Sequence, residues 1–361
     1  MSKVKENVQA LIKKRLRLVI CAVCIVFILC GKWYIDGKAA DMPMQNPAKR
    51  WSGEGTDNGY AAVFFPKSEG ITEDAVREYR GTYEEALRED GIEKEDGKKV
   101  YNEAYSCDGE ISVFNKNAKN ETSVNVTAVG GDYFFFHPMK LLSGGYIYPD
   151  DLMHDRVVID ENAAWSLYGS VDIDGKMCSI NNKHFYIAGV VKKEESNIKD
   201  AVYGEKSRLY MHFDEYAKIK ENAVVTSYEL VYPETFTGRA KRVLQKLLGE
   251  SGMENAEGNE AAGEKAYDIV DMDKRFNIPA LWNRVSKLAK NRIQTKEIMY
   301  PMWENECRML EWYADIAFVW CLVWTIVFVI LIIPQIGKVY RKTVGVAESI
   351  CKKIVQKISG K

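Results

Sequence analysis

The chain has 361 residues, with 50 Lys and Arg against 51 Asp and Glu, and a mean hydropathy of −0.28. That length holds two ordinary domains, or one domain with membrane segments, and the hydropathy excludes a polytopic transporter. Residues 33–315 carry 36 Lys and Arg against 49 Asp and Glu, a net of −13, whereas both ends are basic; this pattern does not suggest nucleic-acid binding.

Residues 1–17 hold six Lys and Arg and one Glu. Val4, Val8, Leu11, Ile12 and Leu16 recur there at helical spacing, which predicts a basic amphipathic helix on the inner membrane surface. Leu18 to Cys30 is apolar throughout, and snorkelling of Arg17 and Lys32, with Trp33 and Tyr34, extends it to a transmembrane helix over 18–35. A signal peptide would have a similar apolar length. However, Lys38-Ala39-Ala40 puts lysine where a cleavage site needs a small residue, so an uncleaved anchor is expected.

Residues 36–59 are rich in Gly, Pro, Asp and Asn and read as a lead-in loop. A strand follows at Tyr60–Phe65. Thr72 then caps a helix with Val76, Tyr79, Tyr83 and Leu87 on its buried stripe. Asp108-Gly109 lies between two alternating runs within 101–114 and predicts a hairpin turn. Val124, Val126 and Ala128 alternate with polar residues as a half-buried strand does. The run AVGGDYFFF (128–136) leads through Leu141-Leu142-Ser143-Gly144-Gly145 to Asp150-Asp151, a strand at 156–160 and a helix at 161–168 ending on Gly169. Residues 177–180 and 184–191 read as a hairpin across Asn181-Asn182.

The ordered set of these features resembles the MacB-like periplasmic core domain of MacB/FtsX-type ABC transporter permeases. The matching positions begin with Gly131, Asp132 and Phe134 after a strand, then Leu142 and Gly144, and the acidic Asp151. They continue with Asp160 closing a Val-Val-Ile strand, a helix ending Leu167-Tyr168-Gly169, and Asp172, Gly175 and Lys176 in a D-x-x-G-K run. A hairpin through Phe185 and Gly189 completes the set. About sixty residues match, and the helix–domain–helix frame matches across the chain.

Beyond the matching region, 208–213 reads as a strand and 214–220 as a short helix. Tyr228, Leu230 and Tyr232 alternate before Pro233. Thr235 or Thr237 caps a helix with Val243, Leu244, Leu247 and Leu248 on one side, ending at Gly249. Residues 249–264 are of low complexity, and 266–271 is a last strand. Strand–helix–strand units thus flank the matching region. The expected fold is α+β: an extracytoplasmic domain at 36–272, with a split βαβ lobe at 60–142 and 224–272 and an inserted β-rich lobe at 143–223. The resemblance implies that these are porter-like and sabre-like lobes. A stalk over 273–315 opens at Pro279 and should kink at Pro301.

Ile316–Ile333 is eighteen residues without a charge, roughly 27 Å of helix, and predicts a second span with Trp312, Tyr313, Lys338, Tyr340 and Arg341 at its flanks. The tail, 334–361, holds seven Lys and Arg against one Glu and reads as a basic amphipathic segment. Basic residues outside both spans predict a two-pass membrane protein with both termini cytoplasmic, and the resemblance implies that the membrane is a bacterial cell membrane.

Little in the sequence points to chemistry. There is no P-loop, no H-E-x-x-H and no G-x-S-x-G. His212-Phe213-Asp214 could offer two metal ligands but lies in a strand-like run, and Asp172-Ile173-Asp174-Gly175 lacks the later ligands of a calcium loop. No metal, cofactor or catalytic residue is expected, and a Cys107–Cys178 bridge between the lobes is disfavoured. The resemblance implies a non-enzymatic membrane subunit that works with a separate P-loop ATPase, with another permease subunit as a further partner and lipid around its helices. Family permeases carry more spans after this domain, so transport by this chain alone is not expected. The alternative is an extracytoplasmic sensor or scaffold anchored by two helices.

Overall fold

The structure, a computed structural model, describes residues 2–40, 47–51, 57–92, 99–115, 119–193, 206–249, 267–288 and 297–359. It divides into a strand-rich unit (Asp41–Ala280 with Lys287–Glu311) and an apolar helix unit (Met1–Ala40, Leu281–Ser286 and Trp312–Lys361).

The strand-rich unit is built on one mixed sheet. Its first part joins β1 (Asn58–Phe64), β2 (Asn102–Asn115), β9 (Ser227–Pro233) and β10 (Asp268–Asp271) in the order β10-β1-β9-β2, with every neighbouring pair antiparallel. Helix α3 (Glu73–Glu89) lies between β1 and β2 in the chain, and α7 (Arg239–Leu247) between β9 and β10. This is the split βαβ, ferredoxin-like order, assembled from two distant stretches of sequence. Thr72 caps α3 by accepting a hydrogen bond from the Ala75 amide, and Val76, Tyr83, Ala86 and Leu87 turn inward. With Val243 and Leu244 of α7 they cover Ala61, Val63 and Phe65 on one side of the sheet.

The second part continues from β3 (Asn120–Gly131) through β8 (Arg208–His212), β5 (Arg156–Asp160) and β7 (Lys183–Val191) to β4 (Leu141–Gly144). Strand β6 (Met177–Ile180) pairs with both β7 and β2, so the pairings β2-β3-β8-β5-β7-β6 close into a ring. Val124, Val126, Val157, Ile159, Leu209 and Phe185 join one buried cluster there. Helix α5 (Glu161–Tyr168) packs on it through Ala163, Ala164 and Leu167. Asn181 and Asn182 both take positive φ, as a two-residue turn between β6 and β7 requires.

Four expectations need correction. Asp108-Gly109 is no turn: β2 runs straight through it. The Tyr216 hydroxyl sits where a Cβ of residue 109 would be, and Asp108 accepts hydrogen bonds from Thr127 and Arg208 across the sheet. The lead-in loop is partly helical, because α1 (Ser2–Ala40) extends past the apolar run with a Lys32–Asp36 pair one turn apart, and Pro47–Trp51 forms α2. Helix α7 starts after Gly238, at φ 85°, without a side-chain cap from Thr235 or Thr237. Pro301 does not kink a stalk; it precedes the first turn of α9 (Met302–Ser359), and its carbonyl accepts from the amides of Glu304 and Asn305. The helix expected from Pro279 is seen as α8 (Ile278–Ser286), and the rest of that stretch, 289–296, lies outside the described residues. So does most of the low-complexity run at 249–264.

Cys107 and Cys178 are separate, buried thiols, and burial pushes each up to about 12. Burial therefore leaves far less reactive thiolate at either cysteine than an exposed thiol carries at the same pH. Neither should therefore be alkylated by iodoacetamide at pH 8 in the folded chain, and both should react in denaturant. Rapid native labelling of either, read by peptide mass spectrometry, would contradict this packing.

In the apolar helix unit, Phe27 stacks on Trp324 at 4.6 Å and meets Trp320 edge-on at 5.8 Å. Gly31 lies against Cys321, a small-residue contact that lets two helix backbones approach closely. Arg284 and Asp315 pair at 2.9 Å beside these helices.

Candidate functional site

Strand β1 is apolar on both faces, so both need cover. The face carrying Tyr60, Ala62 and Phe64 is covered by the segment that begins α9. Phe64 packs edge-on against Tyr300 at 5.2 Å and, tilted, against Trp303 at 5.6 Å. Trp303 also lies 4.7 Å from the His137 ring. His137 follows α4 (Tyr133–Phe136), whose Phe136 meets Tyr60.

Below these rings are buried charges. The Tyr60 hydroxyl donates to Glu229 Oε1, and His137 Nε2 lies 2.7 Å from Glu229 Oε2, all deep in the protein. Burial first, and then the Glu229 carboxylate, push the Tyr60 phenol well above its ordinary value, so it remains a donor.

A second network ties α9 to the sheet edge. Glu304, 0% exposed, pairs with Arg275, 3% exposed. Arg275 also lies 3.5 Å from Glu311. Arg308 reaches Glu304 at 2.7 Å and Asp268 on β10 at 2.9 Å, and Tyr300 donates to the same Asp268 at 3.0 Å. Burial alone would lower Arg275, but Glu304 and Glu311 outweigh it and hold the guanidinium above its ordinary range. Arg208, at the start of β8, pairs with Asp108 at 3.0 Å and contacts the Met302 sulfur. The first turns of α9 are thus clamped to β10, to the segment after it and to β8.

The sequence-predicted positions do not gather at this junction. Gly131 and Asp132 form a turn in which the Asp132 amide donates to Glu103, and Lys99 pairs with the carboxylate at 3.0 Å. Phe134 stacks on Tyr146 at 4.6 Å. Leu142 is partly exposed on β4, and Gly144 pairs with Gly189. Asp151 accepts from the Tyr148 amide within its loop. Asp160 caps α5 at the Ala163 amide and accepts from the Arg208 amide, while Gly169 ends that helix at φ 67°. The Asp172 amide bonds Ser170, Gly175 donates to Ile187, and Lys176 lies over the Tyr168 ring. These are turns and caps.

Sequence reasoning missed Glu229, His137, Arg275 and Glu304. Glu229 alternates with Tyr228 and Leu230, which reads as a solvent-facing position, but Tyr60 and His137 close over its carboxylate and bury it.

A strand-rich α+β domain is therefore carried between helices long and apolar enough to cross a membrane, within Arg15–Ala40 and Met302–Gly337, an arrangement that fits a two-pass membrane protein. No family model and no curated protein matches the chain. Solved structures similar to it include the following two. One is the extracellular domain of the noncanonic ABC-type transporter YknZ from Gram-positive bacteria, at 15% identity and TM-score 0.37, over 58% of this chain and 99% of that one. The other is the periplasmic region of MacB from Actinobacillus actinomycetemcomitans, at 16% identity and TM-score 0.40, over 65% and 94%.

Proposed function

We propose that the chain is a non-enzymatic membrane subunit of an ABC transporter-type complex, carrying motion from a separate P-loop ATPase to an extracytoplasmic domain. The observation that carries this reading is the start of α9. Buried Glu304 and its partners clamp the first turns of a helix that continues without interruption into the apolar run. Displacement along that helix would reach the sheet edge through the clamp. The ordered sequence resemblance supports the same reading, as does the absence of a P-loop motif from the chain. The two candidate spans among the described residues do not by themselves enclose a polar path through lipid.

In this reading both termini are cytoplasmic, because basic residues cluster outside both spans. Residues 60–142 and 224–272 form the porter-like lobe and 143–223 the sabre-like lobe. Contact with the ATPase falls to the basic ends, 1–17 and 344–361, or to another permease subunit.

The test is co-purification in detergent with candidate ATPases, with ATP turnover measured with and without this chain. Deleting 344–361 should weaken the assembly and leave the strand-rich unit folded, and cysteines placed at 10 and 355 should resist an impermeant label that reaches position 255. If the full chain binds no ATPase and changes no turnover, the sensor or scaffold reading replaces this one.

A further inference from the structure

Away from the junction, the loop before β5 meets the corner between β8 and α6 (Phe213–Ile219). His154, His212 and Asp214 come together there, each offering one ligand atom, all within 4.8 Å of one another. His154 Nδ1 lies 2.9 Å from Asp214 Oδ1, and the two imidazoles stack with centroids 4.1 Å apart. A second carboxylate, Asp151, approaches His212 Nε2 at 3.7 Å. His212 is only 6% exposed, and its Nε2 is buried without a hydrogen-bond partner. A buried imidazole nitrogen needs a donor, an acceptor or a metal, and the groups facing it here are ligands.

We propose that His154, His212 and Asp214 form a divalent transition-metal site, with Asp151 as the fourth ligand and zinc as the ion that fits. Two imidazoles select against calcium and magnesium, which take oxygen ligands, and two carboxylates balance the charge of a divalent ion. Tetrahedral ligation at ~2.0–2.2 Å needs ligand atoms roughly 3.4 Å apart, so the cluster must tighten on binding. His154 can supply that movement, being half-buried on a loop, whereas His212 is fixed at the end of β8. Lys218, 3.4 Å from Asp214, competes for one carboxylate oxygen but is held more closely by Glu215 at 2.7 Å. Leu152, 102% exposed, and Met153 lie between the ligands Asp151 and His154. Zinc would therefore pin an exposed apolar loop tip to β8. This site stands independently of the transporter reading.

The test uses the full-length chain in detergent, with any purification tag removed, stripped with EDTA and then dialysed against zinc sulfate. Metal content should exceed that of His154→Ala and of His154→Ala/Asp214→Asn by one zinc per chain. Zinc should raise the melting temperature of the wild-type chain alone. Circular dichroism checks that these variants, altered only at partly exposed side chains, remain folded. Cobalt(II) in the same wild-type protein should give a tetrahedral nitrogen–oxygen spectrum without thiolate charge transfer, which separates this site from the cysteines. Equal zinc in the wild type and the double variant, or a cobalt spectrum of thiolate type only, would overturn the assignment.

Discussion

Glu304→Ala is expected to lower the stability of the strand-rich unit by about 3–5 kcal/mol, the usual consequence of removing one partner from a buried ion pair. Arg275 would keep its charge inside the protein, with Glu311 at 3.5 Å as its remaining carboxylate, and Arg308 would lose its contact at 2.7 Å. The loss reflects the stranded cation more than any net gain from the pair. Replacing both partners, Arg275→Met with Glu304→Leu, should therefore recover most of the stability, because two apolar side chains of similar volume need no counter-charge. Thermal or denaturant unfolding of the full chain in detergent, run as a double-mutant cycle, measures this directly. A single variant that unfolds like the wild type would mean the clamp is not buried as described. The double variant also probes mechanism: stable but without the Glu304–Arg275 tie, and keeping Arg308 on Asp268, it should transmit less ATPase stimulation if α9 moves the sheet through that tie.

Gly189→Ala is expected to be nearly as damaging, at about 3 kcal/mol, for a reason with no electrostatic part. A Cβ at 189 would overlap the Gly145 carbonyl oxygen and lie 2.8 Å from the Gly145 amide and 2.9 Å from the Ser143 carbonyl. All of these atoms are backbone, so no rotamer change can relieve the clash. Strand β4 would have to move off β7, breaking the hydrogen bond from the Gly145 amide to the Ala188 carbonyl at 2.8 Å. Hydrogen exchange should show protection lost first at 141–145 and 188–191, before the ferredoxin-like part of the sheet opens. Unchanged exchange there would show that β4 does not sit on β7.

Several parts of the fold were legible in the chain because their causes are local. The apolar helix over 316–333 follows from eighteen uncharged residues, and helix 161–168 ends at the Gly169 that the sequence marks, while its cap, Asp160, read only as the end of a strand. The turn at Asn181-Asn182 follows from residues that tolerate positive φ. The resemblance placed the strands around that helix, since its pattern is an ordered set of such local signals. What failed was local evidence overruled from a distance. Asp108-Gly109 carries a turn signal, but Tyr216 over the glycine and Arg208 on the aspartate hold it in a strand. The junction was invisible for the same reason. Glu229 is buried by Tyr60 and His137, and Glu304 by Arg275, partners brought together only when the sheet closes and the segment from 297 folds over it. Propensity and periodicity report on neighbours within a turn or two of chain. Whether a carboxylate meets water or a guanidinium depends on groups far along the sequence, and only the tertiary structure decides that.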